Sequence, residues 1–592
     1  MKKVLNQIID YLLIKRSRLF DQERYLIENK DVKASGVDPL LHFVRSGWRE
    51  GRSPNATFST SFYLNQYPDV AESGMNPLVH YIRFGKKEGR ATDGIAEIKP
   101  ISKFIVPQTR ELEKTLDFHA IYKELTPLPT TPVTDIIICV GRHTTNFKAC
   151  LDSILLNTSP NEIKIHLVVH EDESEKLTHL ASREVEIHTH RMEIFFYAKA
   201  NNLVLLQSKN DAILLNDDTV VSEGWLEMLR AASQGIALTG AHTGSHCSGN
   251  PDMWGRGGVA VTDNPINMFC AFIPYRLRQL IGVLDEDFIY YGGEDVDYSI
   301  RARKAGVPLV ISEAYVEHKD NQSYGDSKAK LILESERLLI EKHGLGSPYN
   351  LKTIQPLTSV IITTYNRPHL LSDALDSVYM SEYPLFEVIV VDDCSDPDTI
   401  ERLLQLQREL PNLAVIRPAN NMGLAGARSL ALSMARGDFV YFTDDDDTVL
   451  PNRISGPLYY LVRHPRLDAV YCDYNSVNNL GEVTPQYSRK FNFAEYLDQQ
   501  FTIGSGILFG RTNLFKKVPF DGTYNQALDF DWVFRVMHQG YKLDHYPEIV
   551  MNYNRTGFGD QHLSGNLTSV QIHSRIKDRE KLLLSLRRTS QK

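Results

Sequence analysis

The sequence has few cysteines and no excess of positive charge. Its six cysteines are spread over 592 residues, and none forms a CxxC pair. The sequence therefore suggests neither a zinc site nor a disulfide scaffold, and reduced thiols in a cytoplasmic protein are the better interpretation. The formal net charge is -9. A sequence-independent nucleic-acid binder needs a basic face to neutralise phosphates, so no nucleic-acid partner is expected.

The sequence also lacks an apolar run of the roughly 20 residues that cross a bilayer. Its N-terminus, MKKVLNQIIDYLLIKRSRLF, resembles a signal peptide only superficially, because Asp10 interrupts the apolar patch and no small-residue cleavage site follows. The pattern predicts an amphipathic helix whose apolar face carries Leu5, Ile8, Ile9, Leu12 and Leu13. This face either packs against the protein or contacts a membrane surface. We therefore expect a cytoplasmic protein, with peripheral contact at the inner face of the cell membrane as the open alternative.

A chain of this length exceeds one hydrophobic core, and its first hundred residues contain an internal repeat. An offset of 38 positions separates Tyr25 from Tyr63 and Arg52 from Arg90, and matching Asp, Val, Gly, Pro, Leu and His residues between them recur at the same offset. Each copy reads as short helices separated by Gly and Pro, too small to form a core alone. The histidine that each copy carries, His42 or His80, is expected to pack and cap. We assign residues 1–92 to a helical interaction module and 93–132 to a linker.

After the linker, the same pattern of buried strands and helices occurs twice. Apolar β-branched runs start at residues 135 and 360, and each is followed by a helical pattern and a second apolar run. Such alternation is typical of a parallel sheet covered on both faces. The sequence therefore predicts two tandem α/β domains with Rossmann-like, mostly parallel sheets, at 133–345 and 356–565. A C-terminal helix is expected at 566–592.

In each half a third apolar run ends in an acidic cluster. The first is Asn216-Asp217-Asp218 and the second is Asp444 to Asp447. Carboxylates packed at the end of a buried strand repel one another unless a cation neutralises them. Mg²⁺ or Mn²⁺ prefers oxygen ligands and also binds a diphosphate. A solvated acidic turn remains an alternative for either cluster alone, whereas a calcium loop lacks its glycine and glutamate.

A second acidic motif follows each cluster. It is Glu294-Asp295 in the first half and Leu528-Asp529 in the second. A carboxylate that starts a helix beside a metal–diphosphate site can take a proton from an attacking hydroxyl. The alternative is a helix N-terminal acid stabilised by the helix dipole. Because both motifs follow an acidic cluster at similar distances, we favour the catalytic interpretation.

These residues resemble family 2 glycosyltransferases of the GT-A fold, and the match is closer in the second half. VIITTYNRPHLLSDALDSV, VIVVDDCSD and NNMGLAGARSLALSMARGDFVYFTDDDD are similar to the segments that lead into the DxD motif of the family. The resemblance implies that Asp393, with Asp392, contacts the nucleotide base and Arg428 the nucleotide. It makes Asp444 and Asp446 the DxD pair, with Asp446 the metal ligand. Asp529 becomes the general base, although Leu528 replaces the usual glutamate.

In the first half the resemblance rests on LLNDDTVVSEGWLEML and YYGGEDVDYSIRARKAG. It implies that Asp218 is a metal ligand, with Asn216 and Asp217 beside the nucleotide sugar, and that Asp295 is the base with Glu294 next to it. His318 stands where the family often has a further metal ligand, although a structural role is equally expected. LVVHEDES replaces the usual Asp-rich base-reading turn, which leaves Asp172 a weak candidate there.

The resemblance implies one Mn²⁺ or Mg²⁺ for each catalytic domain, nucleotide-sugar donors, and a glycan or lipid-linked oligosaccharide acceptor. The expected activity is a bifunctional, inverting glycosyl transfer to a growing polysaccharide. One alternative keeps the fold but makes one domain a non-catalytic binding unit, and the altered turn points to the first. A nucleotidyltransferase is disfavoured, because the segments after residues 140 and 364 lack a Gly-rich basic phosphate loop.

Overall fold

The computed structural model contains an N-terminal helical region followed by two α/β domains in tandem. The structure describes residues 10–11, 13–15, 17, 19–55, 58–88, 90, 92, 111, 113–140, 144–170, 185–192, 196–244, 249–289, 292–319, 328–344, 350–492, 495–496, 503–522 and 528–554. The predicted C-terminal helix, Asp172 and most of the predicted N-terminal amphipathic helix lie outside these residues. Within the described part of the chain, none of the helices combines the length and hydrophobicity needed to span a lipid bilayer.

The N-terminal region folds the two sequence repeats into the same structure. Its helices are α1 Gln22–Glu28, α2 Lys30–Ser35, α3 Pro39–His42, α4 Thr60–Gln66, α5 Pro68–Ser73 and α6 Pro77–His80, and a π-helical turn follows α3 and α6. In each copy a buried tyrosine contacts the histidine 17 positions later, Tyr25 with His42 at 3.0 Å and Tyr63 with His80 at 3.1 Å. Both histidines therefore hold the packing of their repeat.

The predicted linker contains a helix, α7 Phe118–Glu124. Asp117 caps its first turn, and Phe118 and Ile121 are buried on one face. Their spacing of three residues matches the helical period, so both side chains lie on one face of α7. This part of the predicted linker therefore packs against the hydrophobic core. Beyond α7, the backbone N–H of Thr126 donates to the carbonyl of Arg463 in the second domain.

The first α/β domain alternates strands with helices along the chain. Its strands are β1 Thr134–Cys139, β2 Ile163–His170, β3 Ile187–Met192, β4 Asp211–Asn216, β5 Thr219–Val221, β6 Leu238–His242, β7 Ala260–Val261, β8 Cys270–Ile273 and β9 Leu309–His318. Its helices are α8 Thr144–Asn157, α9 Tyr197–Leu205, α10 Trp225–Ser233, α11 Tyr275–Ile281, α12 Glu294–Lys304 and α13 Lys328–His343. Short 3₁₀ turns occupy Pro160–Glu162 and Pro251–Met253, and another, Leu351–Thr353, precedes the second domain.

The second α/β domain repeats this succession. Its strands are β10 Thr358–Thr364, β11 Phe386–Asp392, β12 Leu413–Ile416, β13 Phe439–Asp444, β14 Thr448–Val449, β15 Ala469–Val477, β16 Val483–Gln486, β17 Leu508–Arg511 and β18 Leu543–Asn554. Its helices are α14 Pro368–Tyr379, α15 Pro397–Glu409, α16 Gly423–Met434, α17 Ser455–Arg463, α18 Thr512–Lys517 and α19 Leu528–His538. Two 3₁₀ turns are Pro451–Arg453 and Ser505–Ile507.

The two sheets have the same strand order, which is β3-β2-β1-β4-β8-β6-β9-β5 in the first and β12-β11-β10-β13-β17-β15-β18-β14 in the second. The first four positions of each are parallel, as predicted. β10 and β11 are almost wholly buried, and their central residues are apolar on both faces. β8 and β17 then run antiparallel to their neighbours, so the sheets are mixed. The predicted tandem α/β fold is confirmed.

β1 and β4 are parallel neighbours in the first sheet, and β10 and β13 are parallel neighbours in the second. The carboxyl ends of each pair therefore lie at the same edge of their sheet. In the second domain Thr363 pairs in register with Asp444, and Thr364 with Asp392. In the first, Cys139 pairs with Asn216. The acidic clusters that follow β4 and β13 are therefore at the sheet edge where open α/β folds place their ligands.

Candidate functional site

The acidic cluster of the second domain begins at the last residue of β13. One carboxylate oxygen from each of Asp444, Asp446 and Asp447 lies within 4.8 Å of the other two. The turn is held by the Asp447 backbone N–H, which donates to the Asp444 carbonyl, and by the Asn554 backbone N–H, which donates to the Asp447 carboxylate at 2.9 Å. Burial, and then repulsion by Asp444, raise the pKa of Asp447 well above its usual range. Three oxygen donors this close fit a hard divalent cation.

Arg367, in the loop between β10 and α14, forms ion pairs with the same cluster. Its guanidinium contacts Asp445 at 2.7 Å and Asp446 at 3.1 Å. Asp445 is fully buried, and this burial raises its pKa to about 7 although Arg367 lowers it. In the sequence this loop shows only the lack of a Gly-rich phosphate loop, and no pattern there marks Arg367 as a site residue.

Arg428, on α16, connects the acidic cluster to the predicted base. It is 2% exposed, and it donates to the Ser505 hydroxyl at 2.6 Å and to Asp444 at 2.9 Å. Asp529, in the first turn of α19, lies 3.8 Å from the same guanidinium. Burial raises the pKa of Asp529, and the charge of Arg428 opposes that shift. One buried arginine therefore brings together two carboxylates that are 85 positions apart in the sequence.

Asp392 and Asp393, at the end of β11, both accept hydrogen bonds from other residues of the protein. Asp392 accepts from Arg417 at 2.6 Å, and Asp393 accepts from the backbone N–H groups of Met422 and Gly423, at 2.6 and 2.8 Å. Asp393 thus holds the loop that enters α16, the helix of Arg428. Contact of either aspartate with a nucleotide base stays a prediction. The position of Arg417 beside Asp392 was not predicted from the sequence.

In the first domain the predicted metal ligands are adjacent. His318 is the last residue of β9 and pairs in register with Thr219. It therefore lies 3.3 Å from both the Asp218 carboxylate and the Asn216 side-chain amide. Apart from His318, the buried Asp218 carboxylate has no hydrogen-bond partner among the described residues. A buried carboxylate beside an imidazole nitrogen suits Mn²⁺ or Mg²⁺ with an incomplete protein shell. Asp217 stands between Asn216 and Asp218 in the same turn.

The predicted base Asp295 lies in the first turn of α12. Its carboxylate accepts from the backbone N–H of Val296 at 2.8 Å and from the side chain of Asn267 at 3.2 Å. Burial raises the pKa of Asp295, and burial together with the charge of Asp295 raises the pKa of Glu294 to about 8. Gly293 precedes the helix at φ 100°, where a Cβ would also meet the Phe288 ring at 2.8 Å, so only glycine fits.

The segment 267–269 links the base to the candidate metal ligands. Asn267 contacts Asp295, while Phe269 stacks on His318 with ring centroids 4.9 Å apart. A backbone N–H of Phe269 donates to the Asn267 side chain. Nothing in the spacing of Asn267 signals this role, because the contact depends on β8 returning antiparallel beside β4.

Comparison with known proteins decides the family of the second domain. Residues 359–522 match the sequence profile of glycosyl transferase family 2. The second domain is a family 2 glycosyltransferase domain. The matched segment of this family 2 domain contains Arg367, Arg428 and the whole Asp444–Asp447 cluster.

The chain is also similar to two individual glycan-related proteins. An uncharacterised glycosyltransferase of Methanocaldococcus jannaschii is 24% identical over 206 residues, which are 34% of this chain and 71% of that protein. Chondroitin synthase of Pasteurella multocida is 25% identical over 325 residues, 52% of this chain. The chain spans about a third of the length of the chondroitin synthase.

Among solved structures, the chain is similar to residues 1–349 of TarS from Staphylococcus aureus, crystallised with UDP-GlcNAc. The match has 23% identity and a TM-score of 0.32, and it covers 37% of this chain and 64% of that one.

Proposed function

We propose that this chain is a bifunctional, metal-dependent, inverting glycosyltransferase that uses nucleotide-sugar donors in both α/β domains. The observation that carries the proposal is the recurrence of one arrangement. In each domain an acidic turn follows the strand beside β1 or β10, and an aspartate with a raised pKa lies in the first turn of the helix before β9 or β18. A single acidic turn can be incidental, whereas the same pair of features in two domains favours a shared chemistry.

The proposed chemistry is one displacement at the anomeric carbon of the donor sugar. The acceptor hydroxyl oxygen forms the new bond, the bond to the diphosphate breaks, and the hydroxyl proton passes to Asp295 or Asp529. A raised carboxyl pKa makes each aspartate a better proton acceptor. Arg428 holds Asp529 and Asp444 in fixed positions, so the base and the diphosphate end of the donor are oriented together.

The residues present fit a divalent cation in both domains. Asp444, Asp446 and Asp447 would hold it in the family 2 domain, and Asp218 with His318 in the first domain. When bound, Mn²⁺ or Mg²⁺ supplies positive charge opposite the departing diphosphate. Asn216, Asp217 and Glu294 are proposed to contact the nucleotide sugar in the first domain, as Asp392 and Asp393 are in the family 2 domain.

The acceptor is proposed to be a growing surface polysaccharide or a lipid-linked oligosaccharide. The similarity to chondroitin synthase, whose name indicates a polysaccharide product, supports this class. A lipid-linked acceptor would require peripheral contact with the membrane. We retain the domain limits 133–345 and 356–565 as part of the proposal.

A second candidate function makes the first domain a non-catalytic sugar- or nucleotide-binding unit. It is favoured by one observation, namely that the family 2 match at residues 359–522 lies in the second domain. The replacement of the Asp-rich base-reading turn by LVVHEDES agrees with it. The two candidates differ in whether Asp295 is needed for any transfer.

The test is a screen of nucleotide sugars with Mn²⁺ that measures donor hydrolysis and transfer, using Asp295→Asn and Asp529→Asn. Matched controls are Asp297→Asn and Asp531→Asn, two residues further along each helix, whose carboxylates pair with Arg301 and Arg535. We expect each catalytic variant to abolish a different transfer and each control to keep both. If both catalytic variants leave the same transfer intact, the two-activity proposal is wrong. Loss of activity in Asp529→Asn alone supports the second candidate.

A further inference from the structure

A cavity of about 880 Å³ lies between the two α/β domains. The first domain lines it with α11 and the end of α12, including Arg276 and Lys304. The second domain lines it with α18 and with the residues that precede β13, β15 and β18. It therefore faces the amino end of β13, whereas Asp444 is at the carboxyl end. A strand of this length spans about 17 Å, so the cavity is separate from the acidic cluster.

The charge of the lining is opposite in sign to that of the chain. Eight lysines and arginines line the cavity against two aspartates, Asp438 and Asp468, while the whole chain has a formal net charge of -9. Burial raises the pKa of Asp438 to about 7, which lowers the negative charge of the lining further. Cations gathered in a cleft of an otherwise acidic protein produce a local positive potential that attracts anions.

Three of the eight cations, Arg301, Lys304 and Lys516, contact Asp297, His343 and the Ala435 carbonyl within their own domain. The other five fall into two groups. Arg276 pairs with Asp468 at 2.7 Å, and Arg511 donates to the Ala305 carbonyl at 2.9 Å, so both join the two domains. Burial lowers the pKa of Arg511 to about 10, which still leaves it charged at neutral pH. Its buried Nε has no partner among the described residues.

The second group is formed by the side chains of Arg466, Lys517 and Lys542. They are exposed, and the described residues provide no hydrogen-bond or ion-pair partner for any of them. The contacts between the domains therefore involve only some of the cations of the cavity. The charged groups of these three side chains are available to a ligand.

We propose that this interdomain cavity binds a segment of an anionic oligosaccharide, a chain of sugars that carry carboxylate or phosphate groups. Its three available cations come from separate segments of the second domain, before β15, at the end of α18 and before β18, which suits an extended ligand with several charges more than a single phosphate group. Gln279, Asn513 and Gln539 add amides that can bond sugar hydroxyls, and Tyr541 adds a ring against which a sugar can pack. The identity of the anion as a glycan rests on the proposed function, whereas the anion site itself rests on the cavity alone.

The experiment measures binding of a fluorescently labelled hexasaccharide of alternating glucuronic acid and N-acetylglucosamine to the full chain. Arg466→Glu/Lys517→Glu reverses two unpaired charges of the cavity. Its matched control, Arg402→Glu/Arg408→Glu, changes the net charge equally on α15, outside the cavity. Arg466→Gln/Lys542→Gln tests the site with milder changes, and thermal unfolding establishes that every variant is folded.

We expect the cavity variant to weaken binding by about tenfold or more and the milder one by a smaller factor, because the glutamates add repulsion to the lost ion contacts whereas the glutamines only remove the charge. The control should stay within about twofold, and added salt should weaken binding to the wild type. An uncharged hexasaccharide of N-acetylglucosamine should not compete.

The proposal is overturned if the control weakens binding as much as the cavity variant, or if the uncharged hexasaccharide competes equally. Displacement of the probe by UDP alone would identify a nucleotide site and would also overturn it. Donor hydrolysis measured on the same variants separates the two proposals. Cavity-dependent binding without any glycosyl transfer would refute the proposed function only, and transfer without such binding would refute the cavity only.

Discussion

Replacing Arg428 with methionine tests whether one buried cation holds the family 2 site together. The substitution keeps an unbranched apolar stem but removes the guanidinium and its contacts with Ser505, Asp444 and Asp529. The two carboxylates would then face each other without the positive charge between them, so the turn and the start of α19 should move apart. We expect loss of both stability and activity in this domain.

The structure sets the size of this effect. A hydrogen bond to a charged group contributes about 1.5–3 kcal/mol, and loss of one partner of a buried ion pair costs about 3–5 kcal/mol. The Asp444 and Asp529 side chains are 39% and 37% exposed, so water compensates part of the loss. We therefore expect a decrease of about 2–4 kcal/mol in the free energy of unfolding. Misplacement of the base should lower the rate of transfer by about a hundredfold.

The assay combines urea unfolding with sugar transfer in the Asp295→Asn background, where only the family 2 domain can act under the proposed function. The control is Arg303→Met, since Arg303 is 1% exposed in the first domain and pairs with Asp263 at 3.0 Å. The control should lose stability but keep its transfer rate. If Arg428→Met keeps the wild-type rate, or if its effect on transfer adds independently to that of Asp444→Asn, Arg428 does not orient the site.

Two further predictions concern other regions of the chain. Because burial raises the pKa of Glu294 from 4.5 to about 8, the folded protein holds this proton more tightly than the unfolded chain does. The free energy of unfolding should therefore fall as pH rises from about 4.5 to 8, by up to about 1.4 kcal/mol per pH unit. In Glu294→Gln, urea unfolding should show a smaller decrease over this pH range. The same pH dependence in the variant and the wild type would contradict a buried carboxyl with a raised pKa. In the N-terminal region, the Cβ of Gly85→Ala would meet the Tyr63 hydroxyl at 2.1 Å, which should cost about 1–3 kcal/mol. Hydrogen exchange of residues 60–88 should show that loss, and Tyr63→Phe should recover part of it; no recovery would refute the assigned clash.

The tandem fold was predictable because each domain opens with continuous apolar β-branched runs. The expected starts at residues 135 and 360 lie within two residues of β1 and β10. The antiparallel strands were not predicted. β8 and β17 have only four residues each, and their direction depends on pairing with β4 and β13 rather than on any local pattern.

The acidic residues of the site were predictable, but their partners were not. Aspartates at the ends of buried strands are conspicuous because desolvation opposes them, so the clusters stand out in the sequence. Arg367, Arg417 and Asn267 are ordinary polar residues in loops, and their roles come from contacts over 25 to 79 positions. The cations of the interdomain cavity are scattered over both domains, and only the folded chain brings them together.

The most direct test counts the divalent cations that the chain binds in the presence of a UDP-sugar. Electron paramagnetic resonance of Mn²⁺ measures the bound ion in the wild type, in Asp218→Asn and in Asp446→Asn. We predict one equivalent in each domain, with Asp446→Asn losing the ion of the family 2 domain and Asp218→Asn losing the other. Equal Mn²⁺ binding by the wild type and both variants would contradict the account that these acidic turns hold the cation and, through it, the donor.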